Sequence, residues 1–590
     1  MKKAFLQAIN FLLFFCSLFF LSGCSERRER FQGKVGVSLI EHKNVTVECP
    51  LVFVERGENV RFTLRVQDGY TITDTSYPSF LLEPLGENRF ELVLKGVSSP
   101  QRVKLFVQEN DGTITYFANG GTVVGGGEYF SESCNLTNHK RANTSFGVEN
   151  LVKEGYALIG WNTKSDCSGE TVGLGSRVTV PKEKTLNLYA IWKKETDENL
   201  FAFSTAGETA VLTGYHGNEA EIIVPASVNG KNVTHIGASA FQKIRAELLV
   251  LPRTLLSVAE GAFCDCEIET LQFYDDLTEI SDGSFVECEL KTVRINAVNL
   301  PVYASTNRHS FYADKVDLLI LSLEGDKPRL VFEGDSGIWF NLNGQMVQKA
   351  YPEYTVVNMG LNGFFNGQVQ LAVIEHYLKE GDYFIHCPVP NSYYQLLVRT
   401  KMTENMFTAL ELNYDLLSFV NVGGLTQFFD CYASYIQIKK QLSVGSYGDV
   451  CEQNWIDEYG CIPFYMPTVA GNVDQGDDAI IRKEDLDPDS IARLNEYYRS
   501  VKAKTGHNVI FSFGAVNYDG LSEEDRSIEH LDDFESFFRN AVKENASIVN
   551  HLKDVVWRGS MFYYTDFHLT TDAGAKYTEE LIENVRGIIV

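Results

Sequence analysis

Val331-Phe332-Glu333-Gly334-Asp335-Ser336-Gly337 runs from an apolar strand into a glycine, an acid and a serine. The apolar start, Arg329-Leu330-Val331-Phe332, predicts a buried strand; Gly334 closes it and Ser336 falls on the turn into a helix. A hydroxyl there projects from the end of a sheet. Its backbone N–H joins a helix N-terminus, where negative charge is stabilised and where a serine also serves as a cap. Outward from this point the pattern alternates. Leu318-Leu319-Ile320-Leu321, Tyr383-Phe384-Ile385-His386, Asn508 to Phe513 and Val555-Val556-Trp557 read as strands. Val369 to Leu378 has apolar residues at 369, 371, 373, 374 and 378 and reads as a helix. Asp487-Pro488 caps another helix through Lys502, and Thr571 caps one through Val585. Strands alternating with helices over residues 298–590 predict a parallel sheet covered on both faces. In such sheets, sites lie at the carboxyl ends of strands.

Three further blocks lie at strand or helix ends: Val356-Val357-Asn358-Met359-Gly360-Leu361-Asn362-Gly363, Gly381 to Asn391, and Asp566-Phe567-His568-Leu569-Thr570-Thr571-Asp572-Ala573-Gly574. In this order they resemble the SGNH/GDSL hydrolase superfamily. The resemblance implies an α/β three-layer, flavodoxin-like domain with Ser336 as nucleophile and His568 as general base. It also implies an oxyanion hole made by the Ser336 N–H, Gly363 and Asn391, with Asn362 as the rival to Asn391. Two departures stand out. The family's acid, three residues before the histidine, is here Thr565, which leaves Asp566 as the nearest candidate. The family's Gly-x-Asn-Asp block is missing. A serine–histidine pair functions if another carbonyl orients the imidazole. His386 and Cys387 also end a strand and read as buried structural residues.

At the other end, Met1-Lys2-Lys3 precedes an apolar run from Phe11 to Leu21, too short to span a membrane and of signal-peptide length. Leu21-Ser22-Gly23-Cys24 follows and resembles the lipobox of bacterial lipoproteins. That resemblance implies removal of residues 1–23, lipid on Cys24, a charged tether over 24–30, and an extracytoplasmic protein anchored on a cell or outer membrane.

Residues 31–110 alternate apolar and polar positions in Val45 to Cys49, Val60 to Val66 and Arg89 to Leu94, which predicts a small β-sandwich. Residues 111–196 are also β-patterned. Tyr116 to Gly121, Gly155 to Lys164 and Leu186 to Trp192 resemble the Listeria–Bacteroides repeat of internalin B-type modules, with Trp161 and Trp192 expected as buried aromatics. Over residues 200–297 a 22-residue step sets Ile236, Val258 and Ile280, then Phe241, Phe263 and Phe285, then Leu249, Leu271 and Val293 in fixed phase. A fixed period of this size predicts a solenoid whose units share one core. The units resemble BspA-type leucine-rich repeats, with Pro225 and Pro252 at strand ends.

A chain of 590 residues exceeds one core, so several domains are expected. The net charge of −26 argues against a nucleic-acid partner. Of 12 cysteines, Cys16 would leave with the signal and Cys24 would carry lipid. The rest, including Cys264, Cys266, Cys288, Cys451 and Cys461, show no tight disulfide framework. No Cys/His spacing or HExxH motif suits zinc, so neither metal nor cofactor is expected. These readings converge on a surface-anchored serine esterase or acyltransferase acting on acylated carbohydrate. The alternative is a non-catalytic surface adhesin with a degenerate SGNH-like domain. The partners expected are the membrane, through Cys24, and a surface polysaccharide or host protein.

Overall fold

The computed structural model describes residues 34–589 apart from 41, 78–79, 87, 135–140, 145–146, 148–149, 182, 275–277, 282, 297–310, 362–364, 392–404, 411–412, 423–427, 442–455, 462–480 and 564. Cys24, Cys451, Asn362 and Gly363 therefore lie outside the described residues. The chain divides into two compact units, one ending at Glu109 and one beginning at Asn110.

In the first unit, strands Val35–Leu39, Leu51–Val54 and Gln101–Val103 form one sheet, and Val45–Val47, Glu58–Val66, Arg89–Val97 and Phe80–Gly86 form a second. The alternation in Glu58–Val66 turns Val60, Phe62, Leu64 and Val66 into one core with Leu92 and Leu94.

The second unit opens with a five-stranded sheet in the order Tyr129–Cys134, Gly112–Phe117, Thr185–Lys194, Tyr156–Asn162, Thr171–Val172. Trp161 is fully buried beside Tyr116, with ring centroids 4.8 Å apart. Trp192, on the central strand of this sheet, is only half-buried, and its Nε1–H donates to the Ala118 carbonyl at 2.7 Å.

The solenoid follows. Parallel ladders pair Leu249 with Leu271 and Leu271 with Val293, and likewise Ile236 with Val258 and Val258 with Ile280, which is the 22-residue step turned into register. Inside, Phe241, Phe263 and Phe285 stack at 5.3 and 4.7 Å. Phe285 then stacks at 3.8 Å on Phe429, so the aromatic column continues into the C-terminal domain. Burying these rings together supplies apolar contact that no single unit makes alone. The solenoid is tied back to the preceding module: Gln272 Nε2 donates to the Ile159 carbonyl at 3.2 Å and the Tyr274 hydroxyl to that of Leu158.

The C-terminal domain contains strands β1 (Arg329–Glu333), β2 (Thr355–Asn358), β3 (Tyr383–His386), β4 (Val509–Phe511) and β5 (Ala546–Ile548). They form one parallel sheet in the order β2-β1-β3-β4-β5. Helices α1 (Phe311–Leu321), α2 (Ser336–Asn341), α3 (Gly344–Ala350), α4 (Gly367–Tyr377), α5 (Phe428–Gln441), α6 (Pro488–Thr505), α7 (Ile528–Val542) and α8 (Thr571–Val585) accompany it. Crossovers between parallel strands are right-handed as a rule, which in this strand order puts helices on both faces. Helices α2, α3 and α8 pack together, and α4 packs on α6. At the amino end of the sheet, buried Arg329 and Asp382 form an ion pair, with Arg329 Nη1 also donating to the Leu319 carbonyl at 3.1 Å.

Several sequence expectations need correction. Leu318 to Leu321 belongs to helix α1, not to a strand. The helix is buried almost all round, so its apolar run has no helical period to betray it. Thr570, not Thr571, occupies the N-cap of α8. Val556–Trp557 pairs with Val516–Asn517 outside the main sheet. Helix α1 also receives a distant partner: Asp317 forms a buried ion pair with Arg177 of the first module, Nε lying 3.2 Å from Oδ1.

Candidate active site

In a sheet of order 2-1-3-4-5 the crossovers change direction between β1 and β3, which opens a crevice at the carboxyl ends of those strands. Gly334-Asp335-Ser336 leaves β1 at that point, and Cys387 to Val389 leaves β3. The two segments are in close contact: a Cβ on Gly334 would meet the Cys387 carbonyl oxygen at 2.6 Å, so only glycine fits. Asp335, not Ser336, caps helix α2. Its Oδ1 accepts from the Gly337 N–H and its Oδ2 from the Val389 N–H, both at 2.7 Å. The acid of the Gly-Asp-Ser stretch is thus a buried tie between two strand ends. It frees Ser336, half-exposed at the first position of α2, from the capping task.

Ser336 Oγ lies 2.9 Å from His568 Nε2. The histidine arrives on the loop before α8, and several groups hold it there. Its ring stacks on Phe340 at 4.0 Å, with planes 5° apart. Asn341 spans the loop: its Nδ2 donates to the Phe567 carbonyl and its Oδ1 accepts from the Leu569 N–H, each at 2.8 Å. Thr565 Oγ1 accepts from the His568 N–H at 3.0 Å. Burial pulls the His568 imidazole down to about 3, so the ring rests neutral.

Asp566 is buried, and its carboxylate is engaged by Asn517: Asn517 Nδ2 donates to Oδ1 at 2.7 Å, and the Asn517 N–H donates to the Asp566 carbonyl at 3.0 Å. Gly520 lies against the same carboxylate, where a Cβ would be 2.5 Å from Oδ2. Asn391 is fully buried two residues beyond Val389, with its N–H donating to the Val389 carbonyl at 2.9 Å. Asn358, which ends β2, donates from Nδ2 to the Ile338 carbonyl at 3.1 Å and accepts from the Gly360 N–H at 2.8 Å. Lys315 is buried beneath it, donating to the Asn358 and Gly460 carbonyls at 2.9 and 2.6 Å; burial pulls its amine down to about 7. His386 and Cys387 lie in a buried network: His386 Nδ1 is 2.5 Å from the Tyr498 hydroxyl, and its Nε2 is 3.0 Å from Glu333 Oε2. Burial pushes the Cys387 thiol up, away from reactivity.

Asn341 is a residue that sequence reasoning missed. The available signal is local: an asparagine at the end of a helix five residues past the serine is a poor helix former kept for its side chain. Among the described residues, no group of three or more His, Cys, Asp or Glu is disposed to hold a metal ion, and no helix is long and apolar enough to cross a membrane. The described cysteines are free thiols.

Two segments match known family models. Residues 113–191 match the Listeria-Bacteroides repeat domain, and residues 234–316 match the BspA type leucine rich repeat region in six copies. Both are repeat domains typical of surface-associated proteins. No curated protein matches the chain.

Proposed function

We propose that the C-terminal domain is a serine esterase or acyltransferase of the SGNH/GDSL type, acting on acyl groups of a surface carbohydrate. The observation that carries this reading is the 2.9 Å approach of Ser336 Oγ to His568 Nε2 at the crevice between β1 and β3. The neutral imidazole accepts the serine proton as Oγ attacks the ester carbonyl. The Ser336 N–H, Gly363 and Asn391 are the proposed donors to the tetrahedral oxyanion. The protonated imidazole then returns its proton to the leaving alkoxide. Water, or a sugar hydroxyl in the transferase case, attacks the acyl-serine by the same route in reverse. Asn341, Thr565 and Phe340 position the ring; Asp566, held by Asn517, belongs to the support of the histidine loop. Lipid on Cys24 would anchor the chain on the outer side of a cell or outer membrane, where the two repeat regions suit a spacer.

The second reading, a non-catalytic surface adhesin, is favoured by one feature. One oxygen of the Asp566 carboxylate accepts from Asn517, while burial opposes a charge on His568. Aryl-acetate hydrolysis by the full chain separates the two. The esterase reading requires turnover that disappears in Ser336→Ala; parental activity in a folded Ser336→Ala protein leaves the adhesin.

A further inference from the structure

Between the first module of the second unit and the solenoid lies a cavity of about 330 Å³. That volume is at the lower end of the range for small-molecule sites. Both walls are fixed. The Thr196 N–H donates to the Ile223 carbonyl at 3.0 Å, and the Ile223 N–H donates to Thr196 Oγ1 at 2.9 Å. The Ala226 N–H donates to Glu195 Oε1 at 3.3 Å, and Tyr274 reaches across to Leu158. The cavity is therefore a built feature of the junction.

Its lining has two chemical parts. Trp192 and Tyr156 supply aromatic carbon surface from one module, and Leu251 and Pro252 supply aliphatic surface from the other. Trp192 has already spent its N–H on Ala118, so it offers the cavity its ring. Lys153 Nζ lies 4.2 Å over the Tyr156 ring and covers one of its faces. The charged groups balance, Lys153 and Arg253 against Glu154 and Glu195. A balanced set favours no ionic ligand of either sign, whereas charged side chains form strong hydrogen bonds to neutral hydroxyls. Apolar ring surface combined with such groups matches a neutral pyranose, whose faces carry C–H and whose rim carries hydroxyls.

We infer that this junction is a glycan-binding site that takes a neutral pyranose residue. It does not depend on the esterase reading, since the Ser336–His568 pair takes no part in it. The test uses the full chain and, as probes, the methyl glycosides of glucose, galactose, mannose and N-acetylglucosamine, in saturation-transfer NMR and titration. At least one glycoside should bind in the millimolar range or tighter. Arg253→Ala, at an exposed position, should weaken it about tenfold, as expected for loss of one charge-assisted hydrogen bond, with the unfolding midpoint of the variant measured alongside. Tyr156→Ala should weaken it as well, and Ser336→Ala should leave it unchanged. Absence of binding by all four glycosides overturns the proposal. So does parental affinity in Arg253→Ala, or stronger binding of acetate or tetramethylammonium.

Discussion

Ser336 Oγ and His568 Nε2 meet at 2.9 Å across 232 residues of chain. Neither residue is placed by its own neighbours alone. Asp335 ties the serine turn to the end of β3, and Asn341, on the serine's own helix, holds the peptide groups on either side of the histidine. The helix that starts at the serine thereby sets the distance to the base.

If the two act as one unit, their losses do not add. Ser336→Ala and His568→Ala should each lower aryl-acetate hydrolysis by about 10³-fold or more, and the double variant should lose little beyond either. Asp566→Asn should cost far less, because its carboxylate is held by Asn517. Additive losses would show that the residues work separately.

Asn341→Ala removes both bonds to the histidine loop. Leaving two buried backbone groups without that partner should cost about 1–3 kcal/mol in urea unfolding. A displacement of the ring on the order of 1 Å should lower kcat about 10²-fold with KM little changed. A variant that loses stability but keeps kcat would make Asn341 a structural residue only.

The pH dependence follows from the buried ring. His568 is held at about 3 against an ordinary value of 6.5. Between these values the unfolded chain binds a proton that the folded chain does not, so this group's contribution to stability is full above 6.5 and is lost as pH falls toward 3. His568→Gln should therefore be less acid-sensitive in urea titrations than the parent. In kcat/KM the acid limb should be centred near pH 3. A limb centred near 6.5 would mean that the ring is solvated in the working enzyme.

Phe263 is fully buried in the middle of the aromatic column, between Phe241 and Phe285. Phe263→Ala should destabilise the second unit by about 3–5 kcal/mol, as for other buried phenylalanines. Thermal and denaturant unfolding measure this directly, and a change below about 1 kcal/mol would contradict the shared core.

The lipid anchor proposed at Cys24 is tested by metabolic labelling with a fatty acid. Cys24→Ala should give an unlabelled, unprocessed precursor. Label retained on that variant would place the anchor elsewhere.

Features that repeat, or that end locally, are legible along the chain. The 22-residue step is legible because each unit buries the same positions against the next, and the structure returns it as the pairing of Leu249 with Leu271 and Val293. The turn at Gly334-Asp335-Ser336 is legible because an apolar strand, a glycine and a helix start follow one another along the chain. Helix α1 was hidden because burial on nearly every side erases the periodicity by which a helix is recognised. Packing alone decided which side chains meet across long separations. Arg177 reaches Asp317 over 140 residues, and Asn341 holds a loop more than 220 residues away. Asp566 turns to Asn517 rather than remaining a simple sequence neighbour of the histidine. A local pattern records which face of an element avoids water; only the assembled sheet and helices determine what that face finds opposite it.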